Sequence, residues 1–95
     1  MRVLYGFTQR GCEHCEAFLA WMEAEGHELC RAARVRFAEL RLTSHNGHLI
    51  EAFRLRETPT ILLVDQPGDR VRKRWSGWTE RERQGVREAL QAAGA

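Results

Sequence analysis

Cys12-Glu13-His14-Cys15 sets two thiols three positions apart. In the first turn of a helix, residues i and i+3 share a face, so the two sulfurs can bond without large backbone movement. The tetrapeptide follows Arg2–Gln9, rich in Val, Leu, Tyr, Phe and Thr, and the polar turn Thr8-Gln9-Arg10-Gly11. It therefore stands where a strand hands over to a helix. There the unpaired backbone N–H groups and the positive end of the helix dipole stabilise a thiolate on Cys12. The thiolate is the species that attacks a disulfide. Cys15, one turn in and more buried, can then attack the mixed disulfide and release the substrate. Arg10 and His14 add positive charge near the Cys12 sulfur, and Glu13 opposes them.

Two other readings use the same residues. Cys12, Cys15, His27 and Cys30 spell C-x2-C-x11-H-x2-C, a spacing that zinc sites use. Against it, Phe18-Leu19-Ala20-Trp21-Met22 reads as a core-facing helix, which would carry His27 and Cys30 about three turns from Cys12. The pair can also be two small buried hydrophobes, although a helix start is an exposed place for Cys12. Reversible dithiol chemistry fits the residues better than either.

The elements that must position the pair follow from periodicity. Cys15, Phe18, Leu19, Met22, Leu29 and Ala33 recur at helical spacing, with Gly26 as an end or kink and His27–Ala33 as a further helical piece. Val35–Leu42 is a second strand, Thr43–Gly47 a loop and His48–Arg56 a short helix. Thr60–Asp65 is a continuous apolar run typical of a central strand. Gln66-Pro67-Gly68-Asp69 is a turn, and Val71–Ser76 a polar strand whose Arg72, Lys73 and Arg74 suit a charged edge. Thr79-Glu80-Arg81-Glu82 is a capping box opening a closing helix through Val86, Ala89, Leu90 and Ala93. The order β-α-β-α-β-β-α predicts an α/β fold: a four-stranded mixed sheet with helices on both faces and its first two strands parallel.

Composition narrows the class. A chain of 95 residues fits one domain, here residues 1–95, and its 43% hydrophobic content supports a folded core. A net charge of +2 with mixed signs does not advertise a nucleic-acid surface. Three cysteines cannot make a disulfide scaffold without one left over, so Cys30 is expected as a free core thiol. No apolar run reaches the length of a membrane span, and Met-Arg-Val-Leu-Tyr-Gly-Phe lacks the apolar stretch of a signal peptide. The expectation is a cytoplasmic monomer, or a periplasmic or secreted one where a leader has been removed.

The strand-Cys-x-x-Cys-helix arrangement, with Thr58-Pro59-Thr60 opening the third strand and Ser76-Gly77-Trp78 leading into the last helix, resembles the thioredoxin superfamily over essentially the whole chain. The resemblance implies a cis-proline at Pro59 beside the dithiol, with Thr58 pairing to an extended substrate. It also implies a groove wall at Gly77, beside which Trp78 is either an exposed substrate contact or a core residue. The chain departs from thioredoxins in several ways. Gly11 replaces the usual Trp, Glu-His replaces Gly-Pro, and Gly6 stands where a buried acid is expected, leaving Glu39 as a substitute proton acceptor. The outline is the smaller, glutaredoxin-like one, yet the segment after Val71 lacks a Gly-Gly-x-Asp glutathione loop. His14 before the second cysteine is similar to disulfide oxidases and isomerases.

The resemblance thus implies a thiol–disulfide oxidoreductase, a protein disulfide reductase or an oxidase or isomerase. It would act on protein disulfides with a thiol reductase or oxidase as redox partner, and with no cofactor beyond Cys12 and Cys15. The alternative is a non-catalytic binding module on the same fold.

Overall fold

The structure, a computed structural model, describes residues 1–95. Strand β1 (Arg2–Gln9) runs parallel to β2 (Val35–Leu42) from Arg2↔Val35 to Gln9↔Leu42. It runs antiparallel to β3 (Thr60–Asp65), which pairs antiparallel with β4 (Arg70–Ser76) across the turn at Pro67-Gly68. The spatial order is β2-β1-β3-β4, so β1 and β3 are central. The β1-to-β2 connection is helical, as a parallel pair requires.

Helix α1 (Glu13–Trp21) does not end at Gly26. The chain passes through one π turn, Met22–Gly26, and continues as α2 (His27–Ala33). Glycine is needed there because a Cβ on Gly26 would lie 2.5 Å from Met22 Sδ and 2.8 Å from Trp21 Cζ3. Helix α3 spans His48–Ala52, shorter than the expected His48–Arg56, and Arg54 adopts a left-handed φ of 54°. The break has a packing reason. Residues i and i+2 do not share a helix face, whereas Phe53 and Leu55 both pack on the same side of the sheet. Helix α4 (Glu80–Gly94) begins at the expected capping box, where the Glu82 carboxylate accepts a hydrogen bond from the Thr79 N–H at 2.7 Å.

Alternation along the strands divides the core. Leu4, Ile61 and Leu63 face α1, α2 and α4, where they meet Phe18, Trp21, Met22, Cys30, Val86 and Leu90. Phe7, Leu62 and Val64 face the other way, under Leu49, Phe53 and Leu55. That two-sided burial is why β3 reads as unbroken apolar sequence. The edge strand β4 exposes Arg70, Arg72, Lys73 and Arg74, with Arg72 paired to Asp65 at 2.8 Å. No helix is long and apolar enough to cross a membrane.

Candidate active site at the start of the first helix

Gly11 adopts a left-handed φ of 74°, a conformation that costs glycine little and other residues more. It turns the chain from β1 into α1, leaving Cys12 extended (φ −102°, ψ 106°) as the N-cap. Cys12 Sγ accepts a hydrogen bond from the Cys15 N–H at 3.1 Å, and the Cys12 carbonyl accepts from the Glu16 N–H. The two cysteines are joined in a disulfide, their Cα atoms 5.2 Å apart. Cys12 is half-buried, whereas Cys15 is 2% exposed. Only the first of the two sulfurs is therefore open to a substrate.

The loop before β3 closes over this pair. Cys12 Sγ lies 3.5 Å from the Thr58 carbonyl oxygen and 3.6 Å from the Thr58 hydroxyl. That hydroxyl donates to Gln9 Oε1 at 2.9 Å. The Thr58–Pro59 peptide is cis. Two further bonds hold the loop: Thr60 Oγ1 donates to the Glu57 carbonyl at 2.6 Å, and the Gly77 N–H donates to the Pro59 carbonyl at 2.8 Å. Thr58, Pro59 and Gly77 are thus brought to one place beside Cys12. Arg10 and His14 are exposed and make no hydrogen bond or ion pair, so neither holds a fixed contact with the dithiol.

Gly6 has a steric explanation. A Cβ there would sit 2.6 Å from Phe18 Cε2, so the Phe18 ring fills the space an acidic side chain would need. Glu39 pairs in register with Gly6, and its carboxylate accepts a hydrogen bond from the Thr8 hydroxyl at 2.7 Å. Thr8 is fully buried and Glu39 exposed, with Arg41 3.5 Å from its carboxylate.

The structure decides two of the alternatives that the sequence leaves open. Trp78 is not an exposed aromatic: it is 8% exposed and belongs to the main core, 4.9 Å from the Phe18 ring and 5.3 Å from the Trp21 ring. Gly77, at φ 84° and tied to Pro59, turns the chain into α4 and sends the following indole inward. Nor does the zinc spelling assemble. Cys30 lies in the core, 3% exposed, and burial pushes its thiol up to about 11. His27 sits on the surface, 3.3 Å from Glu23. Cys12 and Cys15 are joined to each other.

Sequence reasoning missed Gln9 and Thr8. Their signal was available: both are polar residues at the end of β1, directly before the turn that presents the cysteines.

No family model and no curated protein sequence matches the chain. Solved structures do match its architecture. Thioredoxin f from spinach chloroplast (short form) superposes with a TM-score of 0.75 at 22% identity, covering 99% of this chain and 77% of that one. A putative thiol:disulfide interchange protein DsbE from Chlorobium tepidum gives 0.78 at 16% identity, covering 99% and 80%. A structure of ferredoxin:thioredoxin reductase in complex with thioredoxin f2 gives 0.76 at 16% identity, covering 95% and 77%. The superpositions take in nearly the whole four-stranded sheet and its helices, and the chain has the thioredoxin fold.

Proposed function

We propose that the protein is a thiol–disulfide oxidoreductase that reduces protein disulfides through Cys12 and Cys15. The Cys12 thiolate attacks one sulfur of a substrate disulfide, and the other substrate sulfur leaves as a thiolate. The Cys15 thiolate then attacks Cys12 Sγ. The Cys12–Cys15 disulfide forms, and the second substrate thiolate is released. Two electrons pass from the dithiol to the substrate, and the departing thiolates take up protons according to pH. The dithiol is itself the redox group. The Thr58 backbone, with Pro59 and Gly77 behind it, offers the edge on which an extended substrate lies. Glu39, in register with Gly6 and accepting from the Thr8 hydroxyl, would serve as the proton acceptor in place of an acid at Gly6. Thioredoxin f2 has been solved with ferredoxin:thioredoxin reductase, and a thiol reductase of some kind would return this chain to its dithiol form.

One observation carries the reading. A disulfide at a helix start joins a half-buried sulfur to a buried one, and the half-buried one is flanked by the Thr58 carbonyl and hydroxyl. The test is dithiol-dependent reduction of insulin. Cys12→Ser falls to background and Cys15→Ser accumulates a trapped mixed disulfide. Full activity in Cys12→Ser overturns the proposal. Direction is read from the reduction potential of the pair: a value of about −270 mV marks a reductase, and one of about −120 mV an oxidase.

A further inference from the structure

Strand β4 stands at one edge of the sheet and pairs with β3 alone. No proline interrupts Arg70–Ser76. What lines this edge is charge of one sign. Arg70, Arg72, Lys73 and Arg74 are exposed, and Arg54 and Arg2 join them in the clefts on either side. Across the β3-β4 hairpin and these two clefts, the carboxylates are Asp65 and Asp69. Asp65 is shared by Arg2 and Arg72, and Asp69 accepts from the Tyr5 hydroxyl and Gln66. Arg54, Arg70, Lys73 and Arg74 form no ion pair. The Arg74 guanidinium meets only the neutral Phe53 carbonyl, at 2.7 Å. Six cations against two carboxylates leave this edge at +4 while the whole chain carries +2, so the remaining surface is net negative.

Charge on an edge discourages self-pairing, and a one-sided field of this size also attracts its opposite. Two clefts give the field a shape. On one side of β4, Phe53, Arg54, Val71 and Arg74 line about 410 Å³. On the other, Leu63, Arg72, Lys73 and Ala89 line about 230 Å³. Each combines apolar side chains with basic ones, and Val71 is 40% exposed. A second copy of this chain is a poor occupant, since it sets arginine against arginine. Arg72 is also an extra residue in the pairing with β3, a bulge that bends the edge. A single-stranded nucleic acid is a poor occupant as well, because its bases need open aromatic faces. The one aromatic ring in these clefts, Phe53, is half-buried against Phe7, with ring centres 5.2 Å apart.

We infer that β4 and its two clefts dock an acidic segment of a partner protein. Its carboxylates meet Arg54, Arg70, Lys73 and Arg74, and an aliphatic side chain covers Val71. This docking is independent of the oxidoreductase reading. The surface lies two strands from β1, roughly 10 Å across the sheet, so Cys12 stays open while the segment is held.

The test is fluorescence anisotropy of a labelled peptide as long as β4, with Glu alternating with Leu, titrated with the full chain at low salt. Binding should be saturable and weaken about tenfold as added salt screens the charges. It should be lost when every Glu of the peptide is replaced by Gln. Arg70→Glu, at an exposed residue with no ion pair, should weaken binding about fivefold, and Lys73→Glu, on the other cleft, should do the same. Arg81→Glu makes an equal change of charge on an exposed residue of α4 and should leave affinity within about twofold. Arg70→Glu should keep wild-type insulin reduction, which separates loss of docking from loss of fold. Absence of saturable binding by the wild type, or equal losses in Arg70→Glu and Arg81→Glu, overturns the docking surface. Tighter binding of a charge-matched single-stranded oligonucleotide than of the peptide overturns the assignment to an acidic protein segment.

Discussion

Helices α1 and α4 start in opposite ways. At α4, Thr79 and Glu82 satisfy each other: the carboxylate accepts from both the Thr79 N–H and the Thr79 hydroxyl, and the Thr79 side chain accepts from the backbone N–H of Glu82. At α1 the cap is Cys12, whose sulfur takes the Cys15 N–H at 3.1 Å and is bound to the Cys15 sulfur. Neutral sulfur is a weak acceptor, so the oxidised cap holds this end loosely. A thiolate in the same place is another matter, because charge-assisted hydrogen bonds are roughly twice as strong as neutral ones. One helix start is closed by its own side chains and serves the fold. The other is best satisfied in the state through which the chemistry passes.

The largest test of that contrast is Cys12→Ser under reducing conditions. Disulfide reduction disappears, and the helix start exchanges the charge-assisted bond of the Cys12 thiolate for the weaker bond of a neutral hydroxyl. A loss of roughly 0.5–1 kcal/mol against the reduced wild type is expected in urea melts at pH 7. A gain of stability would mean that the thiolate caps α1 no better than a neutral group. Cys30 sharpens the contrast from the other side. With its thiol pushed up to about 11, roughly one molecule in ten thousand carries a Cys30 thiolate at pH 7. Its alkylation in the folded protein should trail that of Cys12 by at least about a thousandfold. It should rise about tenfold per pH unit toward 10. Equal labelling of the two thiols at pH 7 would contradict the burial argument.

A smaller effect is expected at Thr58. Its single hydroxyl hydrogen has two acceptors, Gln9 Oε1 and Cys12 Sγ. Thr58→Val removes a bond available to the thiolate and should slow alkylation of Cys12 at pH 7 about tenfold, the equivalent of about 1.4 kcal/mol. Gln9→Ala frees the same hydrogen for the sulfur and should speed it. Two variants that move the rate in the same direction would exclude competition for that hydrogen.

The same contrast explains what was legible in the sequence. The Cys-x-x-Cys spacing, the Thr79–Glu82 box and the alternating strands are local signals, and each produced the expected element. The misses depend on chain segments far apart in sequence. His48–Arg56 looked helical throughout, but the second core needs both Phe53 and Leu55 on one side of the sheet, which breaks the helix at Arg54. Trp78 looked like an exposed aromatic beside a glycine. Its burial depends on Phe18 and Trp21, some sixty residues earlier. Gly6 has no local meaning, because its reason is the Phe18 ring that fills the space beside it.

The smallest effect lies at α4. Thr79→Ala should cost about 1 kcal/mol, the usual loss for a cap, without touching the sulfurs. Its pH dependence follows from Glu82, whose carboxyl is held below the usual carboxylate range by the hydrogen bond from the Thr79 hydroxyl and then by that from the Thr79 N–H. A carboxyl depressed in the folded state stabilises above its unfolded value of about 4.3, and that contribution is lost as pH falls through the folded value. The gap between wild type and Thr79→Ala should therefore be full at pH 7 and shrink as the pH falls below about 4. Urea melts at pH 7 and at pH 3 measure it. A gap that persists undiminished in acid would mean that the Thr79 side chain caps α4 without the Glu82 charge, and the two helix starts would then differ less than their geometry suggests.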